Sequence, residues 1–257
     1  ITVEGSNTLT KNLIIFGQGL MKSHPYLYNI VSSIQDNDEN KFKLNLNNMV
    51  TTSFEFILKS LYYKGATNIM FTSKNHEWVE QKYINNFALT SNLILLMGKK
   101  FKSNEFTSGR MGEVLGSLYM IEAMDWFNNH HDNKFDPIVK YAKYEEYKKI
   151  QMHFQLISEN YPLPFIRHFL QFIHSKSSIE NNLKISDKMI QDVSNIVSKN
   201  KELRGILSEN SFEHPKLKMM NDNFEEILNY QQSKENNNKQ LNTLIDEVTK
   251  VDVFEKL

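Results

Sequence analysis

Glu4 stands directly before Gly5 and Ser6, with Asn7 and Thr8 next and an amphipathic run behind them. In that order the residues read as a helix entry. Gly5 admits backbone dihedrals that other residues avoid, and Ser6, Asn7 or Thr8 can cap the free N–H groups of a first turn. Such a turn holds a carboxylate, a candidate general base, close to orphan backbone donors. By residue type alone the ordinary reading of Glu4 is a solvated carboxylate, with catalysis the alternative.

The other groupings fall short of a site by their spacing. His130, His131 and Asp132 are sequence neighbours. Neighbours on a helix point in different directions, whereas a catalytic zinc takes three converging protein ligands, so no metal is expected there. His168 and His174 do not share a helix face well. Gly109, Gly112 and Gly116 suggest a phosphate loop, yet no strand precedes them and no Lys-Ser/Thr follows, and close helix packing explains them better. Arg110 and Glu113 form either a local ion pair anchoring this segment or a solvated surface pair. The chain has no cysteine, which excludes disulfides, thiolate metal sites and thiol catalysis.

Thirty basic residues balance thirty acidic ones in the 257-residue chain, and the Lys runs alternate with Glu, Tyr and Phe. No field of one sign draws it to nucleic acid. The 40% apolar content suits a globular core. Leu93-Ile94-Leu95-Leu96-Met97 is far shorter than the roughly 18–20 apolar residues of a membrane span, and a cytoplasmic location, which the absence of cysteine fits, is expected.

The elements that must position these residues are nearly all helical. Gly and Pro are sparse, at nine and five, and apolar residues recur three and four apart. Residues 8–34 form one helical region with Leu9, Leu13, Phe16, Leu20 and Leu27 on a common side, broken or kinked near Pro25. The polar run at residues 35–41 is a boundary, followed by helices over about 44–63 and 77–101. Residues 106–128 offer a stripe of Met111, Leu115, Leu118, Ile121 and Phe127, and residues 136–160 offer Val139, Tyr147, Ile150 and Phe154. Short links favour antiparallel packing in a bundle. Pro162 and Pro164 open a short apolar helix at 165–175, in which core burial of Phe169 is expected over contact with a membrane. A helix at 185–199 follows, and a last one runs through Leu241, Leu244, Ile245 and Val248.

Four ordered stretches carry a resemblance. They are the Glu4-Gly5-Ser6-Asn7 turn with Ile14-Ile15-Phe16-Gly17-Gln18-Gly19 and His24-Pro25-Tyr26; Thr107-Ser108-Gly109-Arg110-Met111-Gly112-Glu113-Val114-Leu115-Gly116-Ser117-Leu118-Tyr119; Ile185-Ser186-Asp187-Lys188; and Val251-Asp252-Val253-Phe254. Together they resemble the carboxy-terminal part of the large bacterial FadE-type acyl-CoA dehydrogenases. The resemblance implies an all-α fold in which residues 1–35 carry the catalytic-base turn and last helix of the dehydrogenase, and residues 36–257 are a helical-bundle extension.

It also implies FAD-dependent oxidation of a fatty acyl-CoA to the trans-2-enoyl-CoA in fatty acid β-oxidation, with electrons passed to an electron-transfer flavoprotein. Glu4 falls on the base that removes the α proton, Gly5 on the substrate-contacting glycine, and Ser6, Asn7 and Thr8 on the flavin-contacting positions. Thr8 departs from the family's Gln. The amino-terminal helical and β domains that bind most of the flavin and CoA are expected to be supplied elsewhere. The isolated chain would then be inactive and flavin-free, as a truncation, a split gene product or a subunit completed by another chain. FadE-type enzymes are thought to work at membranes, so peripheral contact with the inner membrane belongs to the same expectation. The rival reading is a non-catalytic helical module that holds partners or a membrane.

Overall fold

The computed structural model describes residue 10 and residues 18–69, 75–97, 104–209, 218–220, 222–224 and 226–227. Regular structure among the described residues is helical throughout: α1 (Gly19–Ser23), α2 (Leu27–Gln35), α3 (Glu39–Ile69), α4 (Asn75–Leu95), α5 (Glu105–His130), α6 (Asp136–Glu159), α7 (Pro164–His174), α8 (Ser178–Asn182), α9 (Asp187–Lys199) and α10 (Lys201–Ser208). The chain divides into two compact units, Ile1–Ser186 and Asp187–Leu257.

Local chemistry fixes the boundaries. Pro25 interrupts the first helical region: α1 stops at Ser23 and α2 restarts at Leu27, with the ring nitrogen Nδ1 of His24 accepting from the N–H groups of Tyr26 and Leu27. The expected polar boundary is shorter than the sequence predicts. Asn37 takes a positive φ of 53°, a conformation Asn tolerates, and Asp38 accepts from the N–H of Lys41, so that α3 begins at Glu39. Asn104 caps α5 through the N–H of Thr107, and Asp136 with Pro137 opens α6. Between them buried Asn128 organises the α5–α6 turn: its Oδ1 accepts from the N–H of Phe135, and its Nδ2 donates to Asp136 at 2.5 Å.

In the first unit α4 is the hub, packed by α3, α5, α7 and α8. Its Val79, Lys82, Tyr83, Leu89 and Ile94 are buried. The α5–α6 hairpin packs through Met111, Val114 and Ile121 on one side and Tyr147, Ile150, Phe154 and Ile157 on the other. The stripe expected on α5 is shifted: Met111 and Ile121 are buried, but Leu115, Leu118 and Phe127 are half-buried, and Thr107, Ser108, Val114 and Ser117 take the inward places. Gly112 is buried in keeping with close packing, whereas Gly116 is exposed and a Cβ added there meets nothing within 4 Å.

Two helices correct simple expectations. Helix α7 is neither wholly buried nor wholly exposed: Leu170, Ile173 and His174 face inward, Phe169 is half-buried, and Phe165 stands 86% exposed. Helix α3 is inside out. Its buried residues are Asn45, Ser60, Lys64, Ala66 and Thr67, while Leu44, Val50, Phe54, Leu58 and Tyr62 are exposed.

In the second unit α9 leads into α10, a helix the sequence reading did not foresee. Asn200 caps it by accepting from Leu203 N–H, and Arg204 donates back to the carbonyls of Val197 and Ser198. The helix expected through Leu241 to Val248 lies outside the described residues.

Candidate functional site

The densest polar chemistry among the described residues lies where α3, α4, α6, α7 and α8 meet. The Nζ of Lys82 donates to Glu180 at 2.5 Å and to the carbonyl of Ser175 at 3.0 Å, with both side chains of the ion pair essentially inaccessible. Lys64 donates to the same carbonyl, to the Ser175 hydroxyl and to the carbonyl of Lys176. Those carbonyls close the C-terminus of α7, so two ammonium groups sit at its negative end. Glu180 works at the opposite pole: with Ser177 it completes a capping box at the start of α8. One buried cluster therefore grips both ends of the α7–α8 turn.

Two lysines sharing one carboxylate leave their charge incompletely balanced. Burial, then the charge of Lys82, lowers the pKa of Lys64 to about 8. Burial also lowers that of Lys82, against the attraction of Glu180. Burial works against the charge of Glu180, but Lys82 and the hydrogen bonds from Lys82, Ser177 and Tyr83 outweigh it and hold its carboxyl below the usual range. The phenol of Tyr83 accepts from Gln151 at 2.8 Å, and Gln151 also reaches Glu180.

His174 adjoins this cluster. Its ring stacks on Phe154 at 4.3 Å, and it lies 3.0 Å from the Thr90 hydroxyl and 2.7 Å from that of Ser158. Burial lowers its pKa to about 3, so the imidazole is neutral and donates only once. Nδ1 also faces the carbonyl of Phe154 at 3.3 Å, which only accepts. The proton therefore belongs on Nδ1, and Nε2 faces the Thr90 hydroxyl, whose one hydrogen also points to the Asn86 carbonyl at 2.6 Å. A Ser beside a His invites comparison with a nucleophile and its base, but this pair lacks the chemistry: buried Ser158 points at the Phe154 carbonyl at 2.7 Å, and so weakly basic a ring does not activate it near neutrality. The cleft of about 330 Å³ over Gln151, Gln155, Ser158 and His174 is a polar recess between α6 and α7.

A second cluster joins α4, α5 and α6. Lys143 lies 2.5 Å from Glu80 and 2.8 Å from Asp125, and the phenol of Tyr147 donates to Glu80. Burial opposes the charge of Lys143, but its bonds to Asp125 and Glu80 prevail and raise its pKa. Both clusters are clamps made of charge, and each ties three or more helices together.

A family model described as acyl-CoA dehydrogenase, C-terminal, bacterial type, matches residues 21–255. The chain belongs to that family. No solved structure matches it. The all-helical architecture of this dehydrogenase C-terminal domain agrees with the fold expected from the resemblance.

The residues assigned to catalysis and binding, Glu4, Gly5, Ser6, Asn7 and Thr8, lie outside the described residues. Of the other candidates in the domain, Arg110 donates to the Leu156 carbonyl at 3.3 Å and so ties α5 to α6. His130 stacks on Trp126, and His131 packs against Phe127 and Phe135. Among the described residues no three His, Asp or Glu converge as a metal site. Two clefts among the described residues, of about 330 and 470 Å³, are lined by side chains without the glycine-rich turn that brings a dinucleotide pyrophosphate to a helix N-terminus, so neither fits FAD. Among them, too, no helix is long and apolar enough to cross a membrane. Sequence reasoning missed Lys64, Lys82, Glu180 and His174. Only the Ser177-x-x-Glu180 capping pattern offered a local signal; the lysines find their partners across about a hundred residues of chain.

Proposed function

We propose that the chain is the carboxy-terminal part of an FAD-dependent acyl-CoA dehydrogenase that oxidises fatty acyl-CoA to trans-2-enoyl-CoA in β-oxidation. The observation that carries this reading is the family match over residues 21–255, with the sequence Glu4-Gly5-Ser6 upstream of it resembling the motif that holds the base in such enzymes. Glu4 removes the α proton, Gly5 contacts the substrate, and Ser6, Asn7 and Thr8 lie toward the cofactor. An α proton is weakly acidic, so a solvated carboxylate is a feeble base for it. Desolvation beside an acyl chain strengthens a carboxylate, and placement within hydrogen-bond reach makes the transfer effectively intramolecular. FAD, which other domains would largely hold in the complete enzyme, would supply the hydride acceptor, with an electron-transfer flavoprotein as the onward electron acceptor.

The 257 residues alone are expected to be helical, flavin-free and without turnover, because in such enzymes other domains bind most of the flavin and CoA. Visible absorbance and an artificial-acceptor assay with palmitoyl-CoA check this. Flavin near stoichiometry, or turnover by the isolated chain, contradicts it.

A second reading, docking at the cytoplasmic face of the inner membrane, is favoured by one observation: Phe165 and Phe172 of α7 are exposed. Liposome co-sedimentation lost on a Phe165→Ser, Phe172→Ser double change supports it, and no co-sedimentation of the wild-type chain removes it.

A further inference from the structure

Helix α3 carries its apolar side outward. Apolar burial drives folding, yet this 31-residue helix buries Asn45, Ser60, Lys64, Ala66 and Thr67 and leaves Leu46, Val50, Phe54, Leu58, Leu61 and Tyr62 between 38% and 67% exposed. At about 100° per residue, Val50, Phe54, Leu58 and Leu61 fall within an arc of about 80°, a single face roughly three turns long, with Leu46 and Tyr62 on its two flanks.

The surroundings of that face narrow what it takes. From Leu44 to Tyr62 the only charges are Glu55 and Lys59, which pair with each other one turn apart at 3.9 Å. Asn47, Asn48, Thr51, Thr52 and Ser53 supply the polar neighbours. A helix that lies in a membrane interface is rich in Lys and Arg beside its apolar side, and this one is not. A charged partner would find no opposite field to steer it.

A second copy of the chain does fit. A surface that meets itself across a two-fold axis must be self-complementary, with every contact made twice. The apolar positions have the order this needs, because they read alike from either end: Val50 and Leu58 stand four residues from Phe54, and Leu46 and Tyr62 stand eight. With Phe54 at the axis and the two helices antiparallel, Val50 of one copy comes level with Leu58 of the other, ~6 Å along the helix to either side of the axis. The six exposed apolar residues present on the order of 500 Å² per copy, so a pair that also covers the polar rim of Asn47, Thr51 and Lys59 clears the ~1,000 Å² that a specific interface requires. The self-paired Glu55 and Lys59 bring no uncompensated charge into it.

We propose that the outer face of α3 is a homodimer interface, through which two copies of this chain pair antiparallel about Phe54. The pairing neither requires nor tests the assignment of Glu4 as a base.

The full 257-residue chain tests it by sedimentation equilibrium. The wild-type chain should be a dimer that dissociates on dilution. Phe54→Glu sets two carboxylates against each other at the axis and should weaken the dimer at least about a hundredfold. Tyr119→Glu, which places the same charge on the exposed side of α5, should leave it unchanged. Phe54 is itself exposed, so the variant should keep the circular dichroism of the wild-type chain. A chain that stays monomeric up to about 100 μM overturns the proposal and leaves this face to a different protein. A dimer that Phe54→Glu does not weaken overturns it in favour of another surface. The absence of cysteine allows a second measurement without background. Chains carrying Val50→Cys mixed with chains carrying Leu58→Cys should form a disulfide between copies at least about tenfold faster than either variant alone or than Tyr119→Cys, since the bond needs Cα atoms within about 7 Å. Equal rates overturn the antiparallel pairing.

Discussion

The helix pairs α5–α6 and α3–α4 are built on opposite principles. In the first, Met111, Val114 and Ile121 of α5 and Tyr147, Ile150, Phe154 and Ile157 of α6 are all buried, and apolar burial dominates the pair beside the Lys143–Asp125 contact. In the second, Ser60, Lys64 and Thr67 of α3 and Lys82, Asn86, Thr90 and Asn92 of α4 are buried polar groups, Asn92 donates across to Ser53, and Lys64 and Lys82 both donate to the Ser175 carbonyl. An apolar seam tolerates small slips in register. A seam of buried polar groups does not, because each group that loses its partner keeps the cost of its desolvation. The two lysines thus fix α3 and α4 together against the α7–α8 turn, while Leu44, Val50, Phe54, Leu58 and Tyr62 of α3 stay exposed.

The sharpest way to break that comparison is at the two seams themselves. Lys82→Met leaves Glu180 charged and buried without its main partner, and should destabilise by about 3–5 kcal/mol. Adding Glu180→Gln, which keeps an acceptor for Ser177 N–H, should recover most of that loss. Urea denaturation of the single and double variants checks it, and a double variant no better than the single one shows that the seam is not set by paired charge. In the apolar pair, Phe154→Ala should also cost about 3–5 kcal/mol, but through a cavity that no change of charge repairs.

Acid separates the regions next. A His whose folded pKa lies below its unfolded value binds more protons unfolded, so stability falls as pH drops from the unfolded value toward the folded one. For His174 that window runs from 6.5 to about 3, and between pH 7 and 4 it is worth about 3 kcal/mol. His76 adds to the loss in the same direction: burial, then Lys143 and Lys140, lower its pKa to about 4. Glu180, whose pKa is depressed, joins only below its ordinary value near 4.5. Replacement by the non-titrating His174→Gln should flatten the slope between pH 7 and 4, and an unchanged slope assigns the acid sensitivity elsewhere. The smallest effects belong to α7. Phe169→Ala should cost roughly 1–2 kcal/mol because its ring is half-buried, and Phe165→Ala should stay within about 0.5 kcal/mol.

What was legible in the sequence follows the same division. The helical class, the extents of α5, α6 and α7 and the buried Ile150 and Phe154 could be read because periodicity and flanking Pro or Asn act locally. The inward face of α5 was misread by one position because Thr107, Ser108 and Ser117 are buried, and small hydroxyl residues do not announce burial. Lys64 and Lys82 could not be read at all, since a buried lysine differs from a solvated one only in its distant partners. The proposed catalytic residues stood out by their motif, and Glu4 to Thr8 lie outside the described residues.

The functional account stands most directly on Glu4. In the complete enzyme, Glu4→Gln keeps the size and shape of the side chain but cannot take a proton, so kcat should fall by about 10²- to 10⁴-fold while flavin absorbance stays at the wild-type level. Retention of more than about a tenth of the wild-type kcat, with flavin bound, would show that Glu4 is not the base.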